Sequence, residues 1–397
     1  MQELDIRLLR EAYYEALKAT GNSDPNPAVG AIVADESGNI LSRGSTQRAG
    51  FAHAERMALQ AEDVDFTGQT LYVTLEPCCH HGRTPPCTDI IREKKIARVV
   101  IGERDFAAEV MGKSVELLRQ SGISVEVVPE QLFPIEKLLT TGPFFFARRF
   151  NRPRVMLKWA QTADGALAPV NGPSGKISGD SAAIVTAALR NYCKFTLASP
   201  GTVNSDRPRL DVRLPKSPVS LQNTGFSQSF GRLIEAQLVI PKSTDLTSAY
   251  KTPTRGYLTY PLPDAVRADL LEFQKQITPD FLLFERQAQD LQQAFSATMQ
   301  AVLGEILAHG FNSVLIEAGP GFSQSLLDAG LADLVVVYQS KQLTAQKLWD
   351  KPGRGNSASS AIAATEMGNP SLAKFRLLES ADLGSDLCFI FQRDADD

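Results

Sequence analysis

The sequence predicts a two-domain α/β protein in which strands and helices alternate along most of the chain. Three observations carry that expectation. The chain has 397 residues, more than one hydrophobic core ordinarily organises. Short β-branched runs alternate with stretches of helical periodicity, which implies a largely parallel or mixed sheet covered by helices. A basic segment, Ala147-Arg148-Arg149-Phe150-Asn151-Arg152-Pro153, precedes a fresh apolar strand, Val155-Met156-Leu157, and marks a boundary. The expected domains are therefore 1–148 and 149–397.

The elements follow in order. Leu4 to Thr20 carries apolar residues at helical spacing (Leu4, Leu8, Tyr13, Leu17) and stops near Gly21. Val29–Val33 and Leu71–Leu75 are strand-like, and residues 53–62 fit a helix between them. Ala97–Ile101 and Ile123–Val128 give two more strands. Val115–Leu118 lies on the helix that joins them, ended by Gly122. In the second half, 155–160, 236–240, 313–317 and 333–338 read as strands, and 179–191 and 293–308 as helices. Residues 214–231 are rich in Ser, Pro and Gly and read as a long loop. Residues 351–366 read as flexible. No internal repeat is visible.

Composition narrows the function. Apolar residues make up 43% and charged residues 22%, ordinary for a soluble enzyme. A net charge of −4 offers no basic field for nucleic acid or membrane. No apolar run reaches the ~18 residues of a spanning helix, and the charged N-terminus lacks a signal-peptide core. Cytoplasmic location is the expectation. Of five Cys and four His, Cys78, Cys79, Cys87, His53, His80 and His81 crowd into one short stretch. The odd Cys total argues against a disulfide framework, and the crowding argues for a metal site or a reactive thiol.

Two motifs lie in that stretch, His53-Ala54-Glu55 and Pro77-Cys78-Cys79-His80-His81-Gly82-Arg83-Thr84-Pro85-Pro86-Cys87. A catalytic zinc takes three N or S ligands and keeps one position open for water. His53, Cys78 and Cys87 supply one N and two S, the ligand set of the zinc deaminases, whose signature is H-x-E followed by Pro-Cys and a second Cys. Zinc brings the pKa of its water to about 7. Glu55 then shuttles protons rather than binding metal. The competing reading is a structural zinc with a fourth ligand from Cys79, His80 or His81. A further alternative is a non-enzymatic, zinc-stabilised binding module.

The spacing departs from the general deaminase signature, since eight residues rather than two separate the Cys ligands. The run from Thr74 to Cys87 (TLEPCCHHGRTPPC), with Pro25-Asn26-Pro27-Ala28-Val29-Gly30 upstream, resembles the deaminase half of the bifunctional deaminase/reductase family of riboflavin biosynthesis. The resemblance implies a cytidine-deaminase-like three-layer N-terminal domain and a dihydrofolate-reductase-like C-terminal domain. It implies that Asn26, Glu76 and His80 line a pyrimidine pocket. Two positions depart from the family: Thr46 stands where a His is usual, and Asp105-Phe106-Ala107-Ala108 replaces D-P-N-P.

In the second half the family pattern appears as Leu157-Lys158-Trp159-Ala160-Gln161-Thr162-Ala163-Asp164-Gly165, as Thr202 to Arg213 (TVNSDRPRLDVR), and as Glu317-Ala318-Gly319-Pro320-Gly321. No early G-x-G-x-x-G is present, so a standard dinucleotide fold is not indicated. The resemblance implies that Lys158, Ser174, Arg190, Leu210, Arg213 and Glu317 hold the substrate. It also implies that Ala160, Lys176, Thr202, Asp206, Gly319 and Gly321 border NADPH. A Gly-rich turn opening a helix suits a phosphate. Lys176 replaces a usual aromatic residue there, and the late A-P-x-L-L-G is absent.

The expected activity is hydrolytic deamination of a diaminopyrimidinone ribosylamine 5′-phosphate at one zinc per chain, then NADPH reduction of the ribosyl group to ribityl. The substrate is a small molecule, and the family suggests a homo-oligomer. Two alternatives remain at this level: a deaminase with a weakened or lost reductase half, and a nucleobase deaminase of the tRNA type.

Overall fold

The computed structural model describes residues 2–106, 111–166, 177–206, 210, 224–238, 254–259, 281–342 and 370–394. The first elements are α1 (Glu3–Ala16), β1 (Gly30–Ala34), β2 (Ile40–Ser45), α2 (Ala54–Leu59), β3 (Thr70–Val73) and α3 (Cys87–Glu93). They are followed by β4 (Arg98–Ile101), α4 (Lys113–Gln120), β5 (Ser124–Val127), α5 (Pro134–Leu139) and α6 (Gly142–Phe150). The five strands form one mixed sheet in the order β2-β1-β3-β4-β5. The pairs β1–β2 and β1–β3 are antiparallel, and β3–β4 and β4–β5 are parallel.

Strand alternation sorts the side chains into two cores and so builds three layers. Ile32, Tyr72 and Val100 face one way and pack with Leu8, Leu9 and Tyr13 of α1. Ala31, Val33, Leu71, Val73, Val99 and Ile101 face the other way, against Ala54 and Ala58 of α2, Ile90 and Ile91 of α3, and Leu118 of α4. Two glycines set how closely helices approach. A Cβ on Gly30 would run into the backbone of Ala12 and Ala16, and one on Gly44 into the backbone of Ala54 and Ala58. The helices α1 and α2 therefore lie almost against the strand backbone.

The second set comprises β6 (Arg154–Gln161), α7 (Asp180–Cys193), β7 (Phe195–Ala198), α8 (Pro200–Asp206), α9 (Gln228–Leu238), β8 (Thr254–Thr259) and β9 (Phe281–Glu285). After these come α10 (Ala288–Gln293), α11 (Phe295–Ala308), β10 (Ser313–Glu317), α12 (Pro320–Asp328), β11 (Leu334–Ser340), β12 (Phe375–Asp382) and β13 (Asp386–Arg393). Their eight-stranded sheet runs β12-β13-β11-β6-β10-β7-β8-β9. It is parallel from β11 to β9 and antiparallel at the β12–β13 edge. Val155 and Leu157 of β6, Val314 and Ile316 of β10, and Val335 and Val337 of β11 pack with Met299, Leu303 and Ile306 of α11. The alternate residues face α7, where Thr186 Oγ1 donates to Tyr338 Oη at 3.2 Å and Arg154 Nη2 to Tyr192 Oη at 2.7 Å.

Backbone contacts divide the chain into two units. One is Met1–Arg149 with Glu235–Gln237, and the other is Phe150–Ile234 with Leu238–Asp397.

Several expectations need correction. Residues 236–238 close α9 and are not a strand, while 239–240 lie outside the described residues. Phe230, Leu233, Ile234 and Gln237 are buried, a helical spacing that outweighs the short apolar run Ala236-Gln237-Leu238-Val239-Ile240. Residues 228–231 of the expected loop open that same helix. Residues 214–223 and 351–366 lie outside the described residues. Strand β2 was missed because Ser42, Arg43 and Gly44 carry weak strand preference. The β12–β13 hairpin turns at Gly384, whose φ of 83° suits glycine.

Candidate active site

The His–Cys cluster gathers at one end of the first sheet. His53 is the N-cap of α2, which brings Glu55 into that helix's first turn. Cys78 follows the end of β3, and Cys87 is the first residue of α3. The backbone N–H of Cys87 donates to Cys78 Sγ at 3.3 Å, so the start of α3 ties the two sulfurs together.

His53 Nδ1 lies 3.6 Å from Cys78 Sγ and 3.4 Å from Cys87 Sγ, and the three ligand atoms all lie within 4.8 Å of one another. Tetrahedral zinc with Zn–N and Zn–S bonds of ordinary length separates an N and an S ligand by about 3.5 Å. The trio fits that geometry. Among the described residues no fourth His, Cys, Asp or Glu joins the group, which disfavours a closed structural site. Cys79 is half-buried and His80 and His81 are exposed.

The electrostatics suit a metal and a proton carrier. The Cys78 thiol is drawn well below its ordinary value, first by the hydrogen bond with the Cys87 thiol and further by His53. The hydrogen bond to Cys78 raises the His53 pKa. Glu55 is 3% exposed. Its burial, then the neighbouring Cys78 charge, push its carboxyl pKa up.

A cavity of about 340 Å³ opens over these groups, large enough for a small ligand. Asn26, Glu76 and His80 line it together with His53, Glu55 and Cys78. Glu76 already holds two donors: its Oε1 accepts from Ser114 Oγ at 2.7 Å and its Oε2 from Gly112 N at 3.2 Å. Those bonds fix its carboxylate at the N-terminus of α4. Thr46 also lines the cavity, and its Oγ1 accepts from the Val29 N–H at 3.2 Å. The cavity wall further includes Arg83, Phe144 and Arg148, none of which the motif reading assigned. Arg148 sits in the segment read only as a boundary, and no spacing in the sequence points it at the zinc motif.

In the second unit, register brings three of the expected substrate residues together. Glu317 ends β10 and stands opposite Lys158 of β6. Arg190 Nε of α7 donates to Glu317 Oε1 at 2.6 Å, and Lys158 Nζ lies 3.6 Å from Glu317 Oε2. Burial works to raise the Glu317 pKa, but Arg190 and Lys158 outweigh it and hold it at about 2. Burial pushes Lys158 down against the pull of Glu317. The Lys158 ammonium also lies 5.5 Å from the centre of the Tyr338 ring.

The expected cofactor residues are distributed as follows. Ala160 lies on β6 opposite Tyr338. Thr202 lies on α8, its Oγ1 3.0 Å from Ser199 Oγ. Asp206 ends that helix. Gly319 is the N-cap of α12 and Gly321 lies in its first turn, both with open space where a Cβ would stand. Leu210 is buried beside Ala198 and Val203, with a φ of 50°. Ser174, Lys176 and Arg213 lie outside the described residues.

Known proteins resemble both halves. Residues 2–103 match the cytidine and deoxycytidylate deaminase zinc-binding region, and residues 153–342 match the RibD C-terminal domain. The riboflavin biosynthesis protein RibD of Aquifex aeolicus is 31% identical over 400 residues, covering 99% of each chain. The chain belongs to the RibD family. The family's Escherichia coli protein is 31% identical over 92% of each chain. A solved structure from Thermotoga maritima is described as a diaminohydroxyphosphoribosylaminopyrimidine deaminase and 5-amino-6-(5-phosphoribosylamino)uracil reductase. It is 26% identical with a TM-score of 0.70, over 98% of this chain and 99% of that one. Acinetobacter baumannii RibD shares the fold at a TM-score of 0.70 and 24% identity, over 99% of each chain. The RibD family architecture is thus a cytidine-deaminase-like domain followed by a dihydrofolate-reductase-like one.

Proposed function

We propose that this chain carries out both activities named for its Thermotoga relative, deaminase and reductase: it deaminates the diaminopyrimidine ribosylamine 5′-phosphate and then, in our reading, reduces the ribosyl group to ribityl. The observation that carries the first step is the trio His53, Cys78 and Cys87 at tetrahedral spacing, with Glu55 buried in the same cavity. We assign deamination to residues 1–148 and reduction to 149–397.

His53 Nδ1 and the sulfurs of Cys78 and Cys87 would hold the zinc. When bound, zinc supplies a Lewis acid that makes water nucleophilic at neutral pH. The Glu55 carboxylate would take one proton of the attacking water and pass it to the ring nitrogen, then take the second from the hydroxyl so formed and pass it to the amine, which leaves as ammonia while the ring carbon becomes a carbonyl. Its burial disfavours a bare carboxylate charge, which favours taking up each proton. Asn26 and His80 orient the pyrimidine, and the bound Ser114 and Gly112 donors keep Glu76 aimed at the cavity.

In the second half, Ala160, Lys176, Thr202, Asp206, Gly319 and Gly321 would border NADPH, which supplies hydride. The open turn Gly319-Pro320-Gly321 at the start of α12 supports this, because the space beside the two glycines lets a phosphate approach the helix N-terminus. Lys158 positions the ribosyl group, with Ser174, Arg190, Leu210, Arg213 and Glu317 completing the substrate side. The matches along both halves favour this reading over a reductase-deficient chain or a tRNA-type deaminase. Among the described residues no helix is long and apolar enough to cross a membrane. We place the enzyme in the cytoplasm, acting on a small molecule rather than nucleic acid, as a homo-oligomer.

The test is an assay of the zinc-loaded protein on the diaminopyrimidine ribosylamine phosphate. Ammonia release without NADPH, and NADPH oxidation only after deamination, is the expected result. Absence of ammonia release overturns the deaminase half. NADPH left unoxidised by the deaminated intermediate overturns the reductase half.

A further inference from the structure

The zinc cavity has a cationic rim that the ligand motif does not explain. Arg83 lies in the loop between the two Cys ligands, and Arg148 lies on α6; both are exposed and both line the cavity. Neither has an ion-pair partner among the described residues. An arginine on a surface helix is ordinarily free to sweep through solvent. Arg148 is not placed that way. It stands one helical turn beyond Phe144, and its guanidinium carbon lies 4.4 Å from the centre of that ring. Phe144 is 7% exposed and itself lines the cavity. Residues four apart share a helix face, so the buried ring supports the charge on the cavity side. Guanidinium–aromatic stacking stabilises this arrangement modestly while leaving the N–H donors free.

We propose that Arg148 is a specificity-determining residue of the deaminase, joining Arg83 to bind the terminal phosphate of the substrate. This rests on the deaminase reading given above. The reacting end of the substrate belongs beside Glu55 and the zinc ligands, so its charged end falls toward the rim. A phosphate is matched by paired guanidinium groups through charge-assisted, often bidentate hydrogen bonds. Asp105 also lines the cavity. An ionised carboxylate only accepts hydrogen bonds, which suits the hydroxyls of the sugar rather than the phosphate. Binding energy gathered so far from the reacting carbon acts first on substrate capture.

The experiment compares ammonia release from the phosphorylated substrate and from its dephosphorylated counterpart, using the full-length, zinc-loaded chain. The wild type favours the phosphorylated form. Arg148→Gln lowers kcat/KM for that form by about 10- to 100-fold, the loss expected for a hydrogen bond to a charged group, mainly through KM. It leaves the dephosphorylated form unchanged, and Arg148→Lys recovers part of the loss. Zinc content reports that the fold survives. Equal losses on both substrates, no loss on either, or a wild type without phosphate preference overturns the proposal. A wild type that releases ammonia from neither substrate overturns the deaminase reading itself, and this proposal with it.

Discussion

Lys158 and Glu317 stand opposite one another across the parallel pair β6–β10, with Arg190 closing on the same carboxylate from α7. The three charges are mostly buried, with side-chain exposures of 14–15%. Such a cluster persists only when its charges balance one another. Removing Glu317 leaves two cations without their shared anion. Glu317→Gln should lower reductase turnover at least about tenfold, as expected for a lost charged hydrogen bond, and leave ammonia release intact. Because the three residues act together, Lys158→Met combined with Glu317→Gln should cost less than the two single losses summed. NADPH oxidation measured on the deaminated intermediate checks both outcomes.

Metal retention and catalysis should separate cleanly at the first site. His53→Ala removes the only nitrogen of the trio, and zinc content should fall from about one per chain toward zero. Glu55→Gln should keep zinc and lose about 10²–10⁴ in deamination rate, the usual worth of a positioned general acid–base group. Metal analysis of both purified variants, paired with ammonia release, distinguishes these roles.

Gly44 controls the site at one remove. A Cβ there meets the backbone of α2 at Ala54 and Ala58, and α2 carries both Glu55 and the N-cap His53. Gly44→Ala should push the helix outward and move His53 and Glu55 relative to Cys78 and Cys87. A displacement near 1 Å can cost about 10²-fold in rate. Deamination should fall while NADPH oxidation persists, which assay of the two half-reactions would reveal.

Acid should weaken the first unit through Asp5. Arg98 donates to it at 2.7 and 3.0 Å, and Tyr72 at 2.9 Å. The bond from Arg98 leads in holding its pKa at about 2, below the ordinary 3.8. A lowered folded-state pKa stabilises the fold above pH 3.8, and the benefit disappears as pH falls toward 2. Its size is on the order of 2 kcal/mol. Asp5→Asn should therefore lower stability at pH 7 and matter little near pH 2. Urea titration at the two pH values, followed by far-UV circular dichroism, tests this.

The metal trio was legible because its chemistry is local: His53, Cys78 and Cys87 fall within a short span, and Glu55 two residues after the His favours a catalytic over a structural zinc. The helix–strand alternation of the first unit was legible because its buried faces follow simple periods. The Lys158–Arg190–Glu317 cluster came from family resemblance, since no periodicity links β6, α7 and β10; their meeting depends on strand register. Arg148 was missed because only the fold turns α6 toward the cavity. Strand β2 was missed because Gly44, chosen for helix approach, weakens the strand pattern it interrupts.

The two sheets impose different histories on the chain as it is made. The first closes through neighbouring segments, and its metal trio is complete once residue 87 has emerged. In the second, the opening strand β6 lies between β10 and β11, which are synthesised far later. Until then β6 has no partner on either side. Contacts of such long range form slowly and leave apolar edges exposed meanwhile. The nascent chain should thus acquire a finished metal centre first, and depend on chaperones chiefly while its second half waits for β10 and β11.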